Sequence, residues 1–218
     1  MKGDKIIIQD FHVAAAAKIM HLLLPLIRQA QGKFIVTIAG ESGSGKSEIA
    51  EALASGLPRE GIKGIVFQQD DYFVYPPKTN EKKRRQNIAH VGLSEVNLEL
   101  LDENLTSIAE GRSEIEKPLV IFDQDRATTE TVQLDDIDVV IVEGTYTTLL
   151  QTADQRIFID RTYLDTRDSR RLRDREEQDE FLETVLEIEH EIISSHKARA
   201  DIIVGPDYGV RKSKDVRR

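Results

Sequence analysis

Short apolar runs rich in β-branched residues alternate along this chain with stretches in which apolar positions recur every three to four residues. Runs at 33–39, 63–69, 138–143, 156–160 and 200–204 read as strands, with a further one at 119–122. The first of them, KFIVTIA, is apolar almost throughout, as expected of a strand covered on both faces. Helical periodicity marks 11–31, 94–110, 165–195 and a shorter segment near 80–88, and another helix opens after Gly45 and carries Ile49, Ala50 and Leu53. In the first helix Val13, Ala16, Ala17, Met20, Leu23, Leu24 and Ile27 share the period. Asp10 offers an N-cap there, and Pro25 should kink the helix or end its regular part. Strands alternating with helices predict an α/β fold, a parallel sheet flanked by helices on both faces. The helix at 11–31 is expected to be a packing helix added ahead of that sheet.

Composition narrows the class. The 218 residues suffice for one large domain, and 30 Lys and Arg against 39 Asp and Glu give a net charge of −9. That balance disfavours a dedicated nucleic-acid binder, as does the lack of an aromatic–basic stripe. The chain has no Cys, which excludes disulfide scaffolds, zinc fingers and thiol nucleophiles. Ile6–Ile8 is followed at once by Gln9 and Asp10, and Lys18, His21 and Pro25 interrupt 13–27. Neither stretch makes a secretory core or a membrane span, so a soluble cytoplasmic protein with no membrane partner is expected.

The residues between the first strand and the next helix carry the clearest chemistry. Gly40-Glu41-Ser42-Gly43-Ser44-Gly45-Lys46-Ser47 fits G-x-x-x-x-G-K-[ST], with a strand before it and a helix after it. Glycines let the backbone turn its N–H groups inward on phosphate oxygens, and the helix adds its positive end. Lys46 can reach the β- and γ-phosphates, and the Ser47 hydroxyl can bind Mg²⁺. The motif therefore predicts a nucleoside-triphosphate site on a P-loop nucleoside triphosphate hydrolase fold. No N-K-x-D or L-S-G-G-Q segment accompanies it, and Glu48 stands where a dinucleotide-binding loop has its last Gly. A small-molecule kinase is what remains favoured.

Three further segments suit such chemistry. Asp70 and Asp71 follow the second strand, where an acid beside the phosphate loop can accept a proton from an attacking hydroxyl, or else serve as a turn or cap. Val139–Val142 runs into Glu143, an acid at a strand tip facing the metal held by Ser47. Arg167, Arg171 and Arg175 are spaced i, i+4, i+8, which on a helix forms one row able to close over a transferring phosphoryl group.

Taken in order, GESGSGKS, QDDYF, the strand at Pro118, VVIVEG, DTRDSRRLRDR and HKARADIIV resemble the uridine kinase and phosphoribulokinase family over about residues 33–208. The resemblance implies a catalytic role for Asp70, a magnesium-linked Glu143, and a lid containing Arg170, Arg171, Arg173 and Arg175. The expected site is then Gly40, Ser42, Gly43, Ser44, Gly45, Lys46, Ser47 and Glu48 on ATP; Ser47, Glu143 and Asp70 on Mg²⁺; and Asp70, Lys46, Arg171 and Arg175 in catalysis. The expected organisation is an N-terminal strand/helix extension at 1–32, a kinase domain at 33–218, and a short lid at about 163–180.

The acceptor side departs from the family. Its F-D-H-P-like segment appears as Ile88-Ala89-His90-Val91, with Ala where an Asp holds ribose hydroxyls. The Tyr and His that read the base after the Pro118 strand are replaced by Phe122, Asp123, Gln124 and Asp125, and the lid's R-G-R-D by Glu177-Gln178-Asp179. The expected activity is ATP- and Mg²⁺-dependent phosphorylation of a small-molecule hydroxyl, uridine- or cytidine-kinase-like. The alternatives are a kinase for a sugar, a sugar phosphate or a pantothenate-like alcohol, or a nucleotide-binding regulator without kinase activity. The cationic run Lys78–Arg85 points weakly to an acidic group on the acceptor. A homo-oligomer is left open.

Overall fold

A computed structural model describes residues 1–3, 5–173, 177 and 179–213. In chain order the elements are α1 (Asp10–Ile27), β1 (Phe34–Gly40), α2 (Lys46–Gly56), β2 (Gly64–Gln68), α3 (Pro77–Gln86), α4 (Leu98–Ala109) and β3 (Glu114–Ile121). They continue with β4 (Arg126–Gln133), β5 (Val139–Glu143), β6 (Gln155–Ile159), α5 (Arg167–Arg173), α6 (Glu180–Ile193), β7 (Ile202–Val204) and β8 (Val210–Lys212). The main sheet has the order β2-β5-β1-β6-β7-β8, parallel except for β8 at its edge. β1 and β5 are buried at every position, in keeping with their unbroken apolar runs.

Each face of the sheet has its own core. On one, Ala15, Ala16, Ile19, Met20 and Leu23 of α1 meet Ile49, Ala50 and Leu53 of α2 over the sheet. On the other, Leu101, Leu105 and Ile108 of α4 pack with Phe67, Tyr72, Val140 and Val142. α1 is long and apolar enough to cross a membrane by length and composition, yet its inner stripe is part of this core. Pro25 lies in the last turn of α1, which ends at Ile27 instead of running to residue 31. A proline there removes the bond its N–H would make to the His21 carbonyl, and the helix ends two residues later.

Two expectations change. The strand foreseen at 119–122 is the end of β3, which pairs antiparallel with β4 in a hairpin outside the main sheet. β4 (RATTETVQ) buries only Val132, so its sequence carries no apolar period. The helix foreseen over 165–195 is divided into α5 and α6, and Asp179 caps the second by accepting from the Leu182 amide at 2.8 Å.

The topology sets the site. In the strand register Glu143 lies beside both Ile38 and Gln68. The carboxyl ends of β1, β2 and β5 therefore open together, as ligand sites in open parallel sheets do.

Candidate active site

The loop from Gly40 to Ser47 leaves the central strand β1 and runs into α2. Gly43 and Gly45 have left-handed φ values of +74° and +101°. They also lack room for a side chain: a Cβ would lie 2.8 Å from Arg170 Cγ at Gly43 and 2.9 Å from Tyr208 Oη at Gly45. The Ser44 amide donates to the Glu41 carbonyl at 3.1 Å, closing the turn. The leading amides of α2, from Lys46 to Glu48, have no carbonyl one turn back within the helix and sit at its positive end. Lys46 is 9% exposed, and its Nζ donates to the Glu41 carbonyl at 3.0 Å. This concave set of amides with one ammonium suits a polyphosphate.

The metal-facing residues meet at the next strand tip. The buried Ser47 hydroxyl donates to Glu143 Oε1 at 2.9 Å. A hydroxyl and a carboxylate are hard oxygen donors, the type Mg²⁺ takes when phosphates and water fill its other positions. No group of three or more His, Cys, Asp or Glu side chains able to hold a metal ion occurs among the described residues. Beyond Glu143, a Cβ on Gly144 would come within 2.2 Å of Gln69 Cβ, so the turns after β5 and β2 touch. Gln69 Oε1 fastens them by accepting from the Tyr146 amide at 2.7 Å.

That contact separates the two acids after β2. Asp71 is buried and structural: it accepts from Lys117 Nζ at 2.8 Å and the Val120 amide at 3.0 Å, and pairs with the Met1 amino group at 3.1 Å. Asp70 is half-buried and lines the same cavity as Ser42, Gly43, Lys46, Ser47 and Glu143.

The cavity continues between α3 and α6. Phe73, Phe122, Phe181, Leu182 and Val185 give it apolar walls; Asn80, Arg84 and Glu189 give it polar ones. Arg84 binds Glu95 through Nε at 2.5 Å and Nη2 at 3.0 Å, and Glu189 through Nη2 at 2.9 Å. Arg85 pairs with Glu81 at 3.0 Å and Asp179 at 2.8 Å. The Leu182 amide and Arg85 hold the Asp179 carboxyl below the usual carboxylate range. α3 is oriented from the hairpin, since Asp125 accepts from the Lys78 amide at 2.7 Å and the Thr79 hydroxyl at 2.7 Å. Burial pushes that carboxyl up, but these bonds outweigh it and leave it below its ordinary range.

The phosphate-loop residues Gly40 to Glu48 thus stand together, with Asp70 and Glu143 at their mouth. The arginines are placed differently from the expected row. Arg171 is 61% exposed on its side chain, with Asp168 at 4.0 Å, and does not line the cavity. Arg175 lies outside the described residues. One position earlier, Arg170, which does not line the cavity either, is 5% exposed, brings its Cγ against Gly43 and donates to the Tyr163 carbonyl and Thr166 Oγ1, both at 2.6 Å. Arg167 and Arg171 both lie on α5, but Arg167 pairs with Glu183 at 3.1 Å and the loop meets the adjacent face. Thr166, whose hydroxyl donates to the Ser42 carbonyl at 2.8 Å, gave no sequence signal.

A family model described as "Phosphoribulokinase / Uridine kinase family" matches residues 35–204. A uridine kinase of Ureaplasma parvum serovar 3 is 31% identical over 157 residues, covering 70% of this chain and 74% of its own. A bifunctional alpha-galactosidase/sucrose kinase of Mediterraneibacter gnavus is 26% identical over 195 residues, 83% of this chain and 21% of its own. A solved structure described as a possible uridine kinase from Bacillus stearothermophilus superposes with a TM-score of 0.63 at 20% identity, covering 87% of this chain and 97% of that one.

Proposed function

The chain belongs to the phosphoribulokinase/uridine kinase family, and from that premise we propose that it transfers the γ-phosphoryl group of ATP to a hydroxyl of a small, uncharged acceptor. The observation that carries this reading is one cavity holding the phosphate loop, the Ser47–Glu143 pair and Asp70, and extending into a part-apolar chamber between α3 and α6.

In this reading Lys46 and the leading amides of α2 hold the β- and γ-phosphates. Ser47, Glu143 and Asp70 would hold Mg²⁺, which when bound would neutralise charge on those phosphates. Asp70 accepts the proton of the acceptor hydroxyl. The oxygen so freed bonds to the γ-phosphorus, and the bond from that phosphorus to the β–γ bridging oxygen breaks, leaving ADP. Arg170, placed beside Gly43, takes the charge-stabilising role expected of Arg171. Arg175 keeps its expected place in the lid as a proposal.

The acceptor is read as uncharged because the two arginines facing the chamber, beside Lys78, already have carboxylates. Arg84 is matched by Glu95 and Glu189, and Arg85 by Glu81 and Asp179. Such internally balanced arginines leave little net positive field for a sugar phosphate or an acid. Apolar walls with Asn80 and Glu189 at the rim suit a nucleoside or sugar, with hydroxyls on one side and a carbon face on the other. Uridine and cytidine come first, because the relatives are uridine kinases. Ala89, standing where the family has a ribose-binding Asp, favours a neutral sugar or other polyol as the second choice.

The test is acceptor-dependent ADP release across nucleosides, sugars, sugar phosphates and vitamin-like alcohols. A neutral acceptor should support turnover, and Asp70→Asn should keep ATP binding while lowering kcat by roughly 100-fold or more. Turnover confined to phosphorylated acceptors would reject the uncharged class. ATP binding without release on any acceptor would favour a regulatory protein.

A further inference from the structure

The helix ahead of the sheet touches the phosphate loop through a chain of hydrogen bonds. Within α1, the Gln9 amide donates to His12 Nδ1 at 3.1 Å, which leaves the ring proton on Nε2. That Nε2–H faces Tyr208 Oη at 3.2 Å. Arg161 Nη1 also donates to the Tyr208 oxygen, and the Tyr208 hydroxyl donates its own proton to the Ser44 carbonyl at 3.1 Å. Every link has a donor and an acceptor, so the polarity of the chain is fixed from α1 to the loop. His12 is buried, and its Nε2 stands 3.0 Å from where a Gly45 Cβ would be.

Tyr208 is held with care. Its φ is +60°, a left-handed conformation unfavourable for a bulky residue. A tight turn imposes it: the Tyr208 amide donates to the Gly205 carbonyl at 2.9 Å, and the Gly205 amide to the Gly209 carbonyl at 2.8 Å. Phe11 stacks on the ring at 4.5 Å between centroids, and His12 meets it edge-on at 5.0 Å. A strained residue clamped by two aromatic neighbours delivers one hydroxyl to one loop carbonyl. That carbonyl belongs to Ser44, next to the left-handed Gly45, where the loop turns its amides inward.

We propose that α1 is a brace for the phosphate loop, with His12 and Tyr208 as positioning residues that hold Ser44–Gly45 in the phosphate-binding conformation. Neither residue needs to touch nucleotide. The brace lowers the ordering cost of binding by fixing the loop beforehand, and it gives the segment at 1–32 a purpose beyond packing. The proposal rests on the loop being a nucleotide site, and it is tested by nucleotide binding without any acceptor.

Calorimetric titration with Mg·ATP and Mg·ADP should compare wild type with Tyr208→Phe, His12→Leu and His12→Gln, well below each protein's Tm. Tyr208→Phe keeps the ring and removes the hydroxyl; it should raise both Kd values roughly 3- to 10-fold, the weight of one hydrogen bond. His12→Leu should do the same, while His12→Gln, whose side-chain amide can donate in place of Nε2–H, should recover most of the loss. The Tyr208→Phe/His12→Leu double variant should bind no more weakly than Tyr208→Phe alone, because the two act in series. In turnover the KM for ATP should rise while the KM for the acceptor holds. Tyr208→Phe affinities within twofold of wild type, or a double variant that is fully additive, would overturn the brace and leave the kinase reading intact. A wild-type protein that bound no nucleotide would sink both.

Discussion

Arg170 and Arg171 are neighbours in sequence that meet opposite environments: one lies against Gly43, the other turns toward solvent beside Asp168. Consecutive helical residues point about 100° apart, so a shift of one residue in register exchanges a buried side chain against the phosphate loop for a surface one. Arg171→Ala should therefore leave kcat/KM within about twofold, as surface changes away from a site do. Arg170→Ala should lower kcat by roughly 100-fold, the loss typical of one preorganised donor. Steady-state rates normalised to folded protein decide it, and the reverse order would return the role to Arg171. Asp70 and Asp71 pose the same problem at a strand end. The phosphate loop was legible because its conformation demands glycines at fixed offsets, and Glu143 because an acid ends an apolar run. Whether Asp70 or Asp71 faced the cavity was decided by Lys117, 46 residues downstream, which no local pattern contains.

Among the elements, α3 and α6 form the two jaws of the chamber, and ion pairs join them. Arg84 reaches from α3 to Glu189 on α6 and to Glu95, whose side chain is fully buried. Arg85 reaches to Asp179 at the start of α6 and lies over the Phe181 ring at 4.5 Å. Removing Arg84 leaves the buried Glu95 carboxylate without its cation, held by the Asn80 amide at 2.7 Å and the Gly92 amide at 2.7 Å, so Arg84→Met should cost about 3–5 kcal/mol of stability, measured by denaturant unfolding. Adding Glu95→Gln should return part of that loss; a single variant costing under about 1 kcal/mol would mean that those two hydrogen bonds suffice for Glu95. Sequence periodicity found α3 and the helices α5 and α6, because they carry charge or apolar spacing. It missed β4 because a strand with one buried side chain has no inward period. It also missed the break between α5 and α6, where Asp179 caps a new helix instead of continuing the old one. In the basic run at 78–85, which points weakly to an anion, Arg84 and Arg85 draw carboxylate partners from residues 95, 179 and 189, which no local pattern contains.

At the scale of the whole molecule, the net charge of −9 is an average over a surface rich in acids and a phosphate loop built from amides and Lys46. The same averaging hides α1, whose composition resembles that of a membrane helix and whose inner stripe is nonetheless half of one sheet face. Ile19, Met20 and Leu23 are buried against α2, at about 1.5–3 kcal/mol each. Their sum rivals the 5–15 kcal/mol that holds a typical domain together. Whether the boundary at residue 32 marks a separable unit is decided by unfolding. The full chain should unfold in one calorimetric transition. A chain of residues 33–218 should show none, because Ile49, Ala50 and Leu53 would face water and the contacts of His12 and Phe11 with Tyr208 would be gone. If the shortened chain melted cooperatively and bound Mg·ATP as the full chain does, α1 would be a detachable addition, and the core on that face of the sheet would be complete without it.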